Sequence, residues 1–155
     1  MRIEGRKRPG AFYRDWIEIE HEASAWGAVY LRLRVRLLER TNPRDSSDFS
    51  SFCAEVSMGV ERSRWERFLA QLELLVRTRS SEASVHCVNG PETTKLVFFA
   101  TEPPLHRFGL RGRLHSARTG DDALGGPGEA RLDFPALHLD RAELERILGE
   151  LRAFR

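Results

Sequence analysis

Between Ala28 and Leu37 the chain alternates without interruption. Val29, Leu31, Leu33, Val35 and Leu37 are apolar, with Tyr30, Arg32, Arg34 and Arg36 between them. A helix would scatter those arginines around its axis. A period of two instead collects them on one face of a strand and the aliphatic residues on the other. This segment therefore demands a sheet with one buried and one charged face. Two neighbouring windows follow the same rule. Ile17 and Ile19 interleave with Glu18 and Glu20, and Phe52, Ala54, Val56, Met58 and Val60 interleave with Cys53, Glu55, Ser57 and Gly59.

The period then changes. Trp65, Phe68, Leu69, Leu72, Leu75 and Val76 follow the spacing of one helical face, and Ser63-x-x-Glu66 reads as a capping box at its start. Four further strands are expected near Glu82–Val88, Thr94–Ala100, His106–Ala117 and Ala130–Leu139, with Asn89-Gly90-Pro91 as a hairpin connection between the first two. Pro135 places the last of them at a sheet edge or on a bulge. Asp140-x-x-Glu143 heads a closing helix with Leu144, Ile147, Leu148, Leu151 and Phe154 on its apolar face. Thr41–Asp48 and Thr119–Glu129 have loop composition.

The order β-β-β-α-β-β-β-β-α predicts an α+β domain: a mainly antiparallel sheet of about seven strands with two amphipathic helices packed on one face. Leu96-Val97-Phe98-Phe99 is apolar on both sides, which predicts a central strand whose outer face is also covered, by a loop, by the N-terminal segment or by a second subunit through Val97 and Phe99. A homodimer is one expected consequence.

With 155 residues, 41% hydrophobic and 31% charged, the chain has the make-up of one soluble globular domain. It has no apolar run of membrane length, and no signal segment follows its basic start, so the expected location is the cytoplasm. Charge is uneven. Arg2, Arg6, Lys7 and Arg8 face Glu4 alone within residues 1–10, which reads as a flexible basic arm ahead of a near-neutral domain over 11–155. Ile3-Glu4-Gly5-Arg6 also matches a tetrapeptide widely engineered as a protease site. Only Lys7 and Lys95 of the 25 basic residues are lysine, a bias that GC-rich coding explains. Cys53 and Cys87 lie in strand-like segments without a Cys-x-x-Cys motif, which points to two buried thiols.

Catalytic and metal-binding signatures are absent. His21, His86, His106, His115 and His138 show no shared-ligand spacing, and neither the serines near residue 50 nor Gly125-Gly126-Pro127-Gly128 has the context of a nucleophile elbow or a phosphate loop. No cofactor is implied. The candidate binding residues are Arg32, Arg34 and Arg36 on one strand, Arg111 and Arg113 with His115 on another, and Trp26, the one tryptophan expected to be exposed. The arginines could bind phosphate or an acidic partner. The competing expectation is that Glu18, Glu20 and Glu55 project to the same face and pair with them across strands. An enzyme site assembled from His115, His21 and Glu18 or Glu20 ranks last.

The order of elements also resembles a family. The strand after Trp26-Gly27, the strand Phe52-Cys53-Ala54-Glu55-Val56, the helix Trp65-x-x-Phe68-Leu69-x-x-Leu72 and the closing Leu139-Asp140-x-x-x-Leu144 are similar to small bacterial proteins grouped near the WapI-type immunity proteins. The likeness spans most of residues 15–155. It implies a non-enzymatic, stoichiometric inhibitor of a co-encoded toxin, with no catalytic residues. The reading from sequence is therefore a protein-binding domain, with a nucleic-acid-associated protein using the basic arm and the arginine-bearing face as the alternative.

Overall fold

The alternation of the first half is realised as an antiparallel sheet in the order β1-β2-β3-β4, formed by Arg2–Glu4, Trp16–Ala25, Ala28–Arg40 and Phe49–Glu61. The computed structural model describes residues 1–5, 14–40, 49–87, 94–101, 107–116 and 130–154. Helix α1 (Arg62–Thr78) follows β4 directly. A second antiparallel sheet, β5-β6-β7-β8, comprises Glu82–His86, Lys95–Ala100, Phe108–Ser116 and Ala130–Leu139, and α2 (Arg141–Arg152) closes the fold. The α+β class and the antiparallel pairing agree with the sequence reading. The single sheet of about seven strands does not, because β4 and β5 do not pair and the strands divide into two sheets of four. Period-two patterning fixes which side chains face the core but not which strand edges meet.

The extra strand is β1. Ile3 lies opposite Ile17 and is wholly buried, while the Met1 ammonium donates to the Ile19 carbonyl at 2.8 Å. The flexible arm expected over residues 1–10 is therefore a core-bearing strand at residues 2–4, and Ile3-Glu4-Gly5 is part of the fold. Its signal was a single aliphatic residue, too little for a period to show. Residues 6–10 lie outside the described residues, as do Thr41–Asp48, Asn89-Gly90-Pro91, His106 and Thr119–Glu129.

Both sheets bury their apolar faces in one continuous core, which takes Leu31, Leu33 and Val35 from β3, Phe68 and Leu72 from α1, Phe98 from β6, Leu110 from β7 and Ile147 from α2. Helix α1 touches β3 and β4 of the first sheet, β5 and β6 of the second, and α2, so the helices do not line one face of a single sheet. Strand β6 is internal, between β5 and β7, as its two-sided apolar pattern requires. On its outer side Val97 is buried within the chain. Phe99 lies across Gly109, where an added Cβ would sit 2.5 Å from the ring, and the Arg111 guanidinium stands 4.9 Å above that ring. Strand β8 is an edge, and its register against β7 shifts between Leu110 and Gly112, opposite the segment that holds Pro135. A residue without an N–H fits both features.

Candidate functional site

The register of the first sheet places Glu18, Arg34 and Glu55 side by side across β2, β3 and β4, and Glu20 beside Arg32. Arg34 Nε donates to Glu55 at 2.7 Å, and Arg34 Nη1 stands 3.3 Å from Glu18 and 3.6 Å from Glu20. Arg32 reaches Glu55 at 3.6 Å and Glu20 at 4.0 Å, and is also paired with Glu22. The hydrogen bond from Arg34, aided by both neighbouring arginine charges, holds the Glu55 carboxyl below the usual glutamate range; the same contact raises the pKa of Arg34. The face is thus an ion-pair ladder in which Arg32 and Arg34 are each shared among several carboxylates. Arg36 lies on the same face, half-buried, opposite Trp16 and Cys53.

Arg111 and Arg113 do not join this ladder. They stand on β7 in the second sheet, where Arg111 bonds Glu82 at 2.7 Å and Arg113 bonds Asp133 at 2.8 Å. His115, expected on their outer face, is buried, and its backbone N–H and carbonyl both bond the Thr94 hydroxyl, at 3.1 and 3.2 Å. His21 lies in the first sheet, bonded to Ser24 at 2.9 Å and stacked on Phe154 with ring centroids 5.3 Å apart. The groups of the enzyme alternative thus sit on different sheets. Cys87 is a buried free thiol whose pKa is raised by burial, and the Cys53 side chain lies outside the described residues. Among the described residues no group of three or more metal-ligating side chains forms, and no helix is long and apolar enough to cross a membrane.

Trp26 stands apart from all these. Ala25 and Ala28 pair as the last rung of the β2–β3 ladder, so Trp26-Gly27 forms the whole two-residue turn, with φ of 48° and 74°. Such turns need positive φ at both positions, which Asn-Gly supplies easily. Glycine meets this at the second position. At the first, a bulky side chain in the left-handed region costs about 1–2 kcal/mol. The indole is 94% exposed, against 2% for Trp65 in the core, while Trp16 is half-buried beneath the Arg2 guanidinium. The turn is also clamped from below, because the Arg62 N–H at the head of α1 donates to the Gly27 carbonyl at 2.7 Å. A strained, exposed aromatic side chain is thus presented on a fixed base. Leu74 on α1, 49% exposed, is the other large apolar side chain open to solvent among the described residues.

No known protein family, curated protein or solved structure matches this chain.

Proposed function

We propose that the chain is a non-enzymatic protein-binding domain of the bacterial cytoplasm, of the immunity type that holds one protein partner, and that Trp26 is its anchor. The observation that carries this reading is the exposed indole in a left-handed turn. Backbone strain held in place by surrounding structure concentrates at functional positions, and tryptophan heads the residues that dominate the energy of protein interfaces. The clamped turn supports the same reading, since a pre-ordered anchor loses little entropy on binding. The ion-pair ladder weighs against nucleic acid on the first sheet, because Arg32 and Arg34 already share carboxylates that phosphates would have to displace.

The test is capture by the tagged full chain from native lysate, with and without nuclease, compared between the natural protein and Trp26→Asn. One stoichiometric protein should survive nuclease and moderate salt and fall at least about tenfold with Trp26→Asn, the scale of a hot-spot loss. Co-expression with the natural protein, but not with the variant, should also relieve that partner's toxicity. Because asparagine accepts the left-handed turn, the variant should be more stable than the natural protein by about 0.5–1 kcal/mol, which separates lost binding from lost folding. Recovery dominated by nuclease-sensitive material would overturn the reading in favour of the nucleic-acid alternative.

A further inference from the structure

A cleft of about 450 Å³ opens where the edge strand β1 of the first sheet meets the end of β8 and the first turns of α2. Gly5, in its lining, is tightly packed. Gly5 donates to the Asp15 carbonyl at 2.7 Å, and an added Cβ at Gly5 would lie 2.9 Å from Leu137 Cδ2. Four guanidinium groups line the cleft, those of Arg2, Arg14, Arg107 and Arg146, brought together from four separate parts of the chain.

Their existing partners leave donors to spare. Arg2 and Arg14 share the single carboxylate of Glu4 at 3.4 and 3.5 Å, the long end of ion-pair distance. Arg146 pairs with Glu150 on its own helix and reaches the Arg2 carbonyl at 3.3 Å. Arg107 uses its backbone N–H and carbonyl on Thr101, and its guanidinium has no ion-pair partner among the described residues. Asp140 is committed to capping the Glu143 N–H at 2.7 Å. Each guanidinium carries five N–H donors in a planar fork that matches the oxygens of a phosphate. The volume lies in the range of small-molecule sites, and the charged lining selects a hydrophilic ligand. The Glu143 carboxyl on the same wall can accept hydrogen bonds from hydroxyl groups.

We propose that this cleft binds a small phosphate ester of a hydroxylated compound, gripped chiefly by Arg14 and Arg107 and supported by Arg2 and Arg146. The site shares no residue with the Trp26 turn, Arg14 preceding β2 and the turn following it, and does not depend on the protein-binding reading.

The experiment is titration calorimetry on the full chain with adenosine monophosphate, ribose 5-phosphate, inorganic phosphate, citrate and unphosphorylated adenosine. At least one of the two esters should bind, and adenosine should not. Arg107→Gln and Arg14→Gln should each weaken the ester by about tenfold or more, as expected when a charge-assisted hydrogen bond is lost. Arg77→Gln, an exposed change in the last turn of α1, should leave it unchanged. Arg107→Gln keeps both backbone contacts with Thr101, and circular dichroism of each variant checks that it is folded. Three results would overturn the proposal: no heat with either ester, equal affinity in Arg107→Gln and Arg77→Gln, or inorganic phosphate or citrate binding as tightly as the esters.

Discussion

Arg34 sits between a carboxylate on each neighbouring strand, and that position ties the charge of one residue to the pairing of three strands. Glu55 carries the pH consequence. Its folded-state pKa is lowered, so its contribution is present above the ordinary glutamate pKa and is lost as pH falls through the folded value. Glu143 behaves oppositely. Burial, reinforced by the Asp140 charge, raises its pKa, so the folded state is disfavoured as pH rises through and above the ordinary glutamate range. Glu55→Gln should therefore flatten the loss of stability on acidification, and Glu143→Gln should raise stability near neutral pH. Denaturant titrations from pH 3 to 7 would show both, with the Glu55 effect shrinking in about 1 M salt, where the Debye length is near 3 Å. An unchanged acid limb in Glu55→Gln would mean that the ladder contributes no proton linkage. Alternation placed these carboxylates and arginines on one face, but the choice between a binding surface and an ion-pair ladder depended on register, which residue types do not encode.

The two helices carry the same Ser/Asp-x-x-Glu start signal and use it differently. Asp140 is the N-cap of α2 and accepts from the Glu143 N–H, as the motif predicts. Ser63 is not a cap. Strand β4 stays paired with β3 as far as Glu61 opposite Ala28, and the Arg62 N–H is taken by Gly27, so α1 starts with no loop and Ser63 lies inside its first turn. Its hydroxyl donates instead to the Glu61 carboxylate at 2.6 Å. Asp140→Ala should therefore cost about 0.5–2 kcal/mol in thermal or urea unfolding, and Ser63→Ala less than about 0.5 kcal/mol. Equal costs would contradict this assignment of the caps. A capping box is a local motif, and here a tertiary hydrogen bond to the neighbouring hairpin moved the helix start ahead of it.

One core spans both sheets and both helices, so neither sheet has a separate interior to hold it when the other opens. Unfolding should be a single transition. Tryptophan fluorescence, which reports Trp65 in α1 with Trp16 and Trp26 in the first sheet, should coincide with far-ultraviolet circular dichroism across a urea titration. Two separated midpoints would show that the sheets unfold independently. Most elements of this molecule were legible in its sequence. Among the described residues, seven of the eight strands, both helices, the central place of β6 and the exposure of Trp26 follow from period, turn chemistry and Pro135, because these depend on side chains within a few positions of one another. Strand β1, the division into two sheets, the burial of His115 and the cleft built from Arg2, Arg14, Arg107 and Arg146 were not legible. The amino-acid sequence alone determined the apolar face of each long strand and helix, though not the burial of Ile3 or His115, since the two- and 3.6-residue periods are properties of the local backbone. The tertiary structure alone decided which edges pair and which distant arginines meet, since those outcomes depend on how all the apolar faces share a single core.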